Sequence, residues 1–150
     1  MRILLQRVTR ASVKVEGELV GEIGQGLLLL VGFRVGDDSE VVSELAKKVA
    51  NLRIFADSQG KMNLSLLEMG YSCLVVSQFT LYGETKKGNR PSFVTAERPG
   101  LAEKLYRQLV DQLTHTLGTD KVREGPFSAM MEVELLNDGP VTLLLERCNS

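Results

Sequence analysis

Three kinds of hydrophobic spacing follow one another along this chain. Ala11, Val13 and Val15 alternate with Ser12, Lys14 and Glu16, the period of a strand with one buried face. Gly17 predicts a turn, residues 19–23 a second strand, and Gly24-Gln25-Gly26 another turn. Residues 27–31 are apolar without interruption, which predicts a strand buried on both faces. The opening third therefore reads as a meander of antiparallel strands. From Asp37 to Leu52 the spacing changes: Val42, Leu45, Ala46, Val49 and Leu52 recur every three or four residues and mark one apolar helix face. Asp37 with Glu40 predicts a capping box at its start. Lys47 and Lys48 fall late in the helix, on a solvated face.

Residues 53–55 predict a short strand, Asp57-Ser58-Gln59-Gly60 a turn, and residues 61–64 a continuation. Residues 72–79 predict a strand whose apolar part, Leu74-Val75-Val76, suits a sheet interior. Pro99 opens a second helix with Ala102, Leu105, Leu109 and Leu113 on its buried stripe. Glu103 and Arg107 are spaced to pair on it, and Gly118 stops it. Residues 129–136 and 141–145 alternate again and predict two strands joined by a turn through Asn137-Asp138-Gly139-Pro140. The expected architecture is α+β: an antiparallel, barrel-like sheet with two packed helices, in one domain spanning residues 1–150.

Composition narrows the function. With 150 residues, 43% of them hydrophobic, the chain can bury a core of its own. A net charge of −1 argues against a broad surface for gripping a nucleic-acid duplex. A short single-stranded end remains accessible to a local basic patch, and Lys86, Lys87 and Arg90 form one directly after the strand at residues 72–79. No apolar run approaches the ~18–20 residues of a membrane span, and the short apolar start is not followed by a cleavage site, so the expected location is the cytoplasm. The two cysteines and the one histidine, Cys73, Cys148 and His115, have no ligand spacing. Neither a metal nor another cofactor is expected.

Candidate chemistry gathers where the strand at residues 72–79 changes character. Ser77, Gln78 and Thr80 bring hydrogen-bonding side chains to the end of an apolar run, the way a rigid scaffold presents reacting groups. A hydroxyl nucleophile needs a general base and an orienting partner. His115, at the end of a helix, has no positional link to either hydroxyl, and Lys86 and Lys87 lie in a polar loop that does not desolvate them. The residues supply binding and polarising groups without proton-transfer machinery. Two readings stay open on the residues alone: an esterase or thioesterase using Ser77 or Thr80, and a non-catalytic dimer that holds RNA ends.

Five stretches in register resemble the D-aminoacyl-tRNA deacylases: residues 6–13 (QRVTRASV), residues 54–63 (IFADSQGKMN), residues 77–81 (SQFTL), residues 90–93 (RPSF) and residues 137–142 (NDGPVT). The resemblance covers essentially the whole chain. It implies a homodimeric ester hydrolase acting on the aminoacyl-tRNA 3′ end, with Ser77, Gln78, Phe79 and Thr80 as the catalytic set. It assigns substrate binding and rejection of L-amino acids to Gly139, Pro140, Arg7 and Met131. In that family a Gly-cis-Pro from one subunit enters the partner's pocket, and an X–Pro bond adopts cis at a cost of only ~0.5–1 kcal/mol. An activated ester beside a ribose hydroxyl needs little beyond positioning and fixed donors for the oxyanion, which main-chain N–H groups of residues 78–80 would provide.

Overall fold

The computed structural model describes residues 1–149. Its spine is β1 (Arg2–Val15), a strand longer than the alternation at residues 11–16 predicts. Antiparallel β2 (Glu18–Ile23) and β3 (Gly26–Gly32) take successive stretches of one edge of β1. The chain then crosses through helix α1 (Ser39–Asn51), the two-residue and three-residue hairpin strands β4 (Phe55–Ala56) and β5 (Met62–Leu64), and helix α2 (Leu66–Met69). It returns as β6 (Ser72–Ser77), parallel to β3. Helix α3 (Pro99–Leu117) makes a second crossover to β7 (Val122–Glu124), parallel to β6. Finally β8 (Glu132–Glu146) runs antiparallel along the other edge of β1.

The expected α+β class holds, with a barrel-like sheet that is mixed rather than antiparallel. The strand order is β2-β1-β3-β6-β7 with β8 on β1. Helical crossovers after β3 and β6 bring the chain back in its original direction, and that is what makes strands parallel. The sheet curls until β2 approaches β7. A Cβ built on Gly21 would lie 3.4 Å from the Glu124 carbonyl oxygen and 3.5 Å from a Leu74 methyl, so the barrel is nearly closed there.

A bulge in β1 allows one strand to serve two cores. Ile3 and Leu5 join Leu27, Leu29, Val31, Cys73 and Val75 beneath α1 and α3. Val8, Ala11 and Val13 join Ile23, Leu28, Leu74 and Val76 inside the barrel. Between Val8 and Arg10 the pairing with β8 advances from Asn137 to Leu136, so Thr9 is an extra residue. One extra residue reverses the alternation, and odd-numbered positions change face. Cys73 behaves as a buried apolar residue, with burial pushing its thiol pKa up to about 12.

Among the described residues three α-helices accompany the sheet, not two. The short α2 carries its own capping box, Ser65 and Glu68 each bonding the other's amide at 3.1 Å. Helix α1 is capped by Asp38, whose carboxylate accepts from the Val41 amide at 3.1 Å. The predicted cap Asp37 is instead buried, receiving the Met1 ammonium at 2.7 Å and the Arg34 amide at 2.6 Å. On α3, Arg107 does not pair with Glu103; it reaches across to form a two-pronged ion pair with Glu124 of β7. Charge-assisted pairs favour a bidentate geometry over a helical spacing. Gly118 ends α3 as predicted.

The predicted turn at 137–140 is a bulge inside one continuous strand. Gln6 of β1 pairs with Thr142 and Val8 with Asn137, so residues 138–141 stand opposite Arg7 alone. No helix among the described residues is long and apolar enough to cross a membrane.

Candidate active site

β6 ends at Ser77, and the chain winds at once into one 3-10 turn, Phe79–Tyr82. The Gln78 amide makes the last bond to β3, donating to the Val31 carbonyl at 2.7 Å. The Leu81 amide then donates back to the Gln78 carbonyl at 3.2 Å. The first amides of such a turn have no partner within it. Among the described residues, those of Phe79 and Thr80 donate to no carbonyl.

Gly32, at the end of β3, lets the turn settle where it does. A Cβ there would lie 2.9 Å from the Gln78 carbonyl oxygen and 3.2 Å from the Leu81 Cβ. Arg2 braces the turn from the neighbouring strand. Its guanidinium donates to the Leu81 carbonyl at 2.7 Å, lies 4.5 Å from the centre of the Tyr82 ring, and pairs with Glu146. Burial raises the pKa of the Tyr82 hydroxyl, so it stays neutral.

The turn forms one wall of a cavity of about 420 Å³. Val31, Gly32, Phe33 and Val76 floor it, Ser77, Gln78 and Phe79 line one side, and residues 127–131 with Val133 line the other. The Ser128 amide donates to the Ser77 hydroxyl oxygen at 3.2 Å, joining the two walls. The far wall is tied to the core through Tyr106, whose buried hydroxyl reaches the Gly125 carbonyl at 2.8 Å and that of Val75 at 3.0 Å. Gln78 donates its side-chain amide to the Thr80 hydroxyl. Among the described residues every lining side chain is neutral, and none is a carboxylate, imidazole, thiol or amine. His115 is exposed at the end of α3 and takes no part.

A second group forms at the bulge of β8. The Gly139–Pro140 peptide bond is cis and exposed, with Gly139 at φ 140°. Arg7 donates to the Asp138 carbonyl at 3.0 Å and to the Ile54 carbonyl at 2.7 Å, and its guanidinium lies 3.5 Å from the Asp138 carboxylate. Asn137 closes the bulge from within: its side chain accepts from the Val141 amide at 2.8 Å and donates to the Thr142 hydroxyl at 3.0 Å. A Cβ on Gly139 would lie 2.9 Å from the Val141 nitrogen and 3.2 Å from the Arg7 guanidinium. The bulge is thus held by its own chain.

Of the residues singled out in the sequence, Ser77, Gln78, Phe79 and Met131 line the cavity, and Thr80 stands beside them on the turn. Arg7, Gly139 and Pro140 form the other group and do not line it. Ser77 is level with Val31, which pairs with Ile3; Gly139 stands opposite Arg7. Four residues of β1, about 13 Å at ~3.3 Å each, separate the two groups along the strand. Arg2 and Ser128 carry no local signal in the sequence, while Asn137 reads there as a turn residue and Gly32 as the glycine after an apolar run, neither as part of a site.

Known proteins resemble this chain over nearly its whole length. A family model described as D-Tyr-tRNA(Tyr) deacylase matches residues 4–146. A protein of Thermomicrobium roseum named D-aminoacyl-tRNA deacylase is 57% identical over 97% of this chain and 94% of its own. One of the same name from Chloroherpeton thalassium is 54% identical over 97% of this chain and 95% of its own. Among solved structures, one titled c-Myc DNA Unwinding Element Binding Protein superposes with a TM-score of 0.94 at 40% identity, covering 99% of this chain and all of that one. Another, titled as a probable eukaryotic D-amino acid tRNA deacylase, has a TM-score of 0.84 over 96% of this chain and 97% of that one. At 18% identity it speaks for the fold alone.

Proposed function

We infer the activity from one premise: this chain belongs to the D-Tyr-tRNA(Tyr) deacylase family. It is a D-aminoacyl-tRNA deacylase, hydrolysing the ester between a D-amino acid and the tRNA 3′ end. Water enters, and free tRNA and the D-amino acid leave. The observation that carries the mechanism is the cavity at the end of β6, which among the described residues offers two unpartnered amides and no side chain that can accept a proton near neutrality. The Phe79 and Thr80 amides are placed to hold the tetrahedral oxyanion. Such fixed donors are each worth about 3–4 kcal/mol in the transition state. The ribose hydroxyl beside the ester positions the attacking water, so the substrate supplies what the protein lacks. The reading places the work in the cytoplasm.

Ser77 is held between walls as an acceptor from Ser128, which suits a structural hydroxyl better than a nucleophile. Thr80 lies on the turn beside Gln78, with no base in the cavity to activate it. Thr80→Ala therefore keeps kcat within about fivefold of the parent, a loss smaller than the 10²–10⁴ range attached to general-base chemistry. Single-turnover release of labelled D-tyrosine measures this. Abolished turnover with intact substrate binding would make Thr80 the nucleophile and favour the esterase reading.

Rejection of L-amino acids rests on the bulge. D- and L-aminoacyl groups differ in where the side chain leaves Cα, and an obstacle discriminates better than an attraction. The exposed Gly139-Pro140 backbone is such an obstacle. It stands away from the cavity of its own chain, so it serves the cavity of a second copy. Two features support a homodimer. Among the described residues β8 pairs only with β1, leaving its outer edge open. Leu136, Leu143 and Leu144 on β8 are exposed. An unpaired apolar edge of this length invites another chain. Met131 lines the cavity that the wedge would enter. Matched D-tyrosyl-, L-tyrosyl- and glycyl-tRNA test the reading. The D and glycyl esters are cleaved and the L ester is spared, because glycine has no side chain to strike the wedge. Comparable D and L rates would remove the wedge; no cleavage of any ester would leave a binding protein.

A further inference from the structure

The cavity mouth continues into a surface that the ester alone does not need. Phe79 lines the cavity yet is 59% exposed, and its ring meets that of Phe93 edge-on at 5.1 Å. Gly83 makes this contact possible: a Cβ there would lie 3.0 Å from the Phe93 ring. Directly beyond stands a loop closed at its neck by a reciprocal pair of backbone bonds between Glu84 and Ser92, at 2.7 and 2.9 Å. Gly88, at φ 64°, turns its tip. The loop therefore keeps a fixed station beside the Phe79–Phe93 shelf.

Its cations are uncommitted. Among the described residues, Lys87 and Arg90 make no ion pair, and Lys86 reaches Glu84 only at 3.9 Å with its side chain 87% exposed. Three cations within five residues, without an acid between them, stand out in a chain of net charge −1. Aromatic faces followed by cations are what single-stranded nucleic acid requires: bases stack, and phosphates are neutralised. Phe79 is an exposed edge of the cavity, and an RNA strand whose 3′-terminal ester occupies the cavity can leave past it.

We propose that the Phe79–Phe93 shelf and the 84–92 loop form the track for the single-stranded tRNA end, with Lys86, Lys87 and Arg90 neutralising the phosphates just upstream of the terminal nucleotide. This rests on the deacylase reading of the cavity, and adds where the substrate's strand runs. The track contributes to KM and not to the bond-breaking step, because it touches groups that do not change charge in the reaction.

The test compares D-tyrosyl-tRNA with D-tyrosyl-adenosine, which carries the same ester and no upstream phosphate, and adds the binding of a fluorescent single-stranded RNA ending in CCA-3′. The triple variant Lys86→Ala/Lys87→Ala/Arg90→Ala raises KM for the tRNA ester at least ~10-fold and leaves kcat within about twofold. It flattens the slope of log(kcat/KM) against log salt by about 2, from ~0.7 per phosphate. D-tyrosyl-adenosine hydrolysis changes less than about twofold, since no phosphate is there to lose. RNA binding weakens by the same factor as KM, and Lys86→Arg/Lys87→Arg retains both. An unchanged KM and salt slope, or an equal loss on both esters, overturns the track. A parent protein inert on both esters but binding the RNA in a cation-dependent way upholds the track and overturns the hydrolase reading instead.

Discussion

Arg7→Ala lowers the ratio of D- to L-tyrosyl-tRNA hydrolysis about a hundredfold, the discrimination that one well-placed obstacle supplies. Most of the fall comes from a gain of rate on the L ester. Arg7 is the outside brace of the bulge, joining the Asp138 carbonyl to the Ile54 carbonyl through one planar guanidinium. Hydrogen bonds from a charged donor contribute about 1.5–3 kcal/mol each. Without them the bulge is held only by Asn137 from within, and an obstacle that can retreat by an ångström no longer excludes an L side chain. Arg7→Lys retains charge but not the fork, so it gives an intermediate ratio. Single-turnover rates on the two matched esters measure this, with the melting temperature as a control for folding. An unchanged ratio in a folded variant would show that the bulge is not the chiral filter, or that Asn137 suffices to hold it.

That brace illustrates what the sequence made legible. The cavity-lining run was readable because an apolar strand ending in Ser77-Gln78-Phe79 is a local pattern, and the structure puts those three side chains on one cavity wall. The bulge was not. Asn137-Asp138-Gly139-Pro140 carries turn chemistry, and a turn and a large bulge ask the same things of the backbone: tolerance of positive φ, a side chain that caps its own main chain, and a missing N–H. Which of them forms depends on whether the flanking strands face one another or both face a third. Here both lie along β1, from Lys14↔Glu132 to Arg2↔Glu146, a relation spanning the whole chain. The same distance effect hid the first half of β1, whose alternation is broken at Thr9, and the parallel pairing of β6, which depends on the α1 crossover. The missed helix α2 is different. Ser65-Leu66-Leu67-Glu68 is an explicit capping signal that four residues of helix follow, so its start was present in the sequence.

The largest expected loss of rate comes from a position that carries no side chain at all. Gly32→Ala lowers kcat on D-tyrosyl-tRNA by about 10²–10³, the loss recorded when a donor in an oxyanion hole is removed. KM stays within a fewfold. The added Cβ would lie 2.9 Å from the Gln78 carbonyl oxygen and 3.2 Å from the Leu81 Cβ, and neither is the tip of a flexible side chain. The clash falls on the two residues whose mutual bond, Leu81 amide to Gln78 carbonyl, forms the 3-10 turn. Arg2 pins the Leu81 carbonyl from the opposite side, so the turn cannot simply slide away. It must tilt, and the Phe79 and Thr80 amides tilt with it. A displacement of about an ångström at such donors is enough for a hundredfold loss. The bulge is distant, and the 84–92 loop, although it follows the turn through Gly83, is closed by its own Glu84–Ser92 bonds, so the D-to-L ratio and the salt slope keep their parent values while kcat falls. That separation makes the experiment decisive. A parallel decline of selectivity, salt slope and melting temperature would mean that Gly32 supports the barrel as a whole. An unchanged kcat in a folded variant would show that the oxyanion is held somewhere other than the start of this turn.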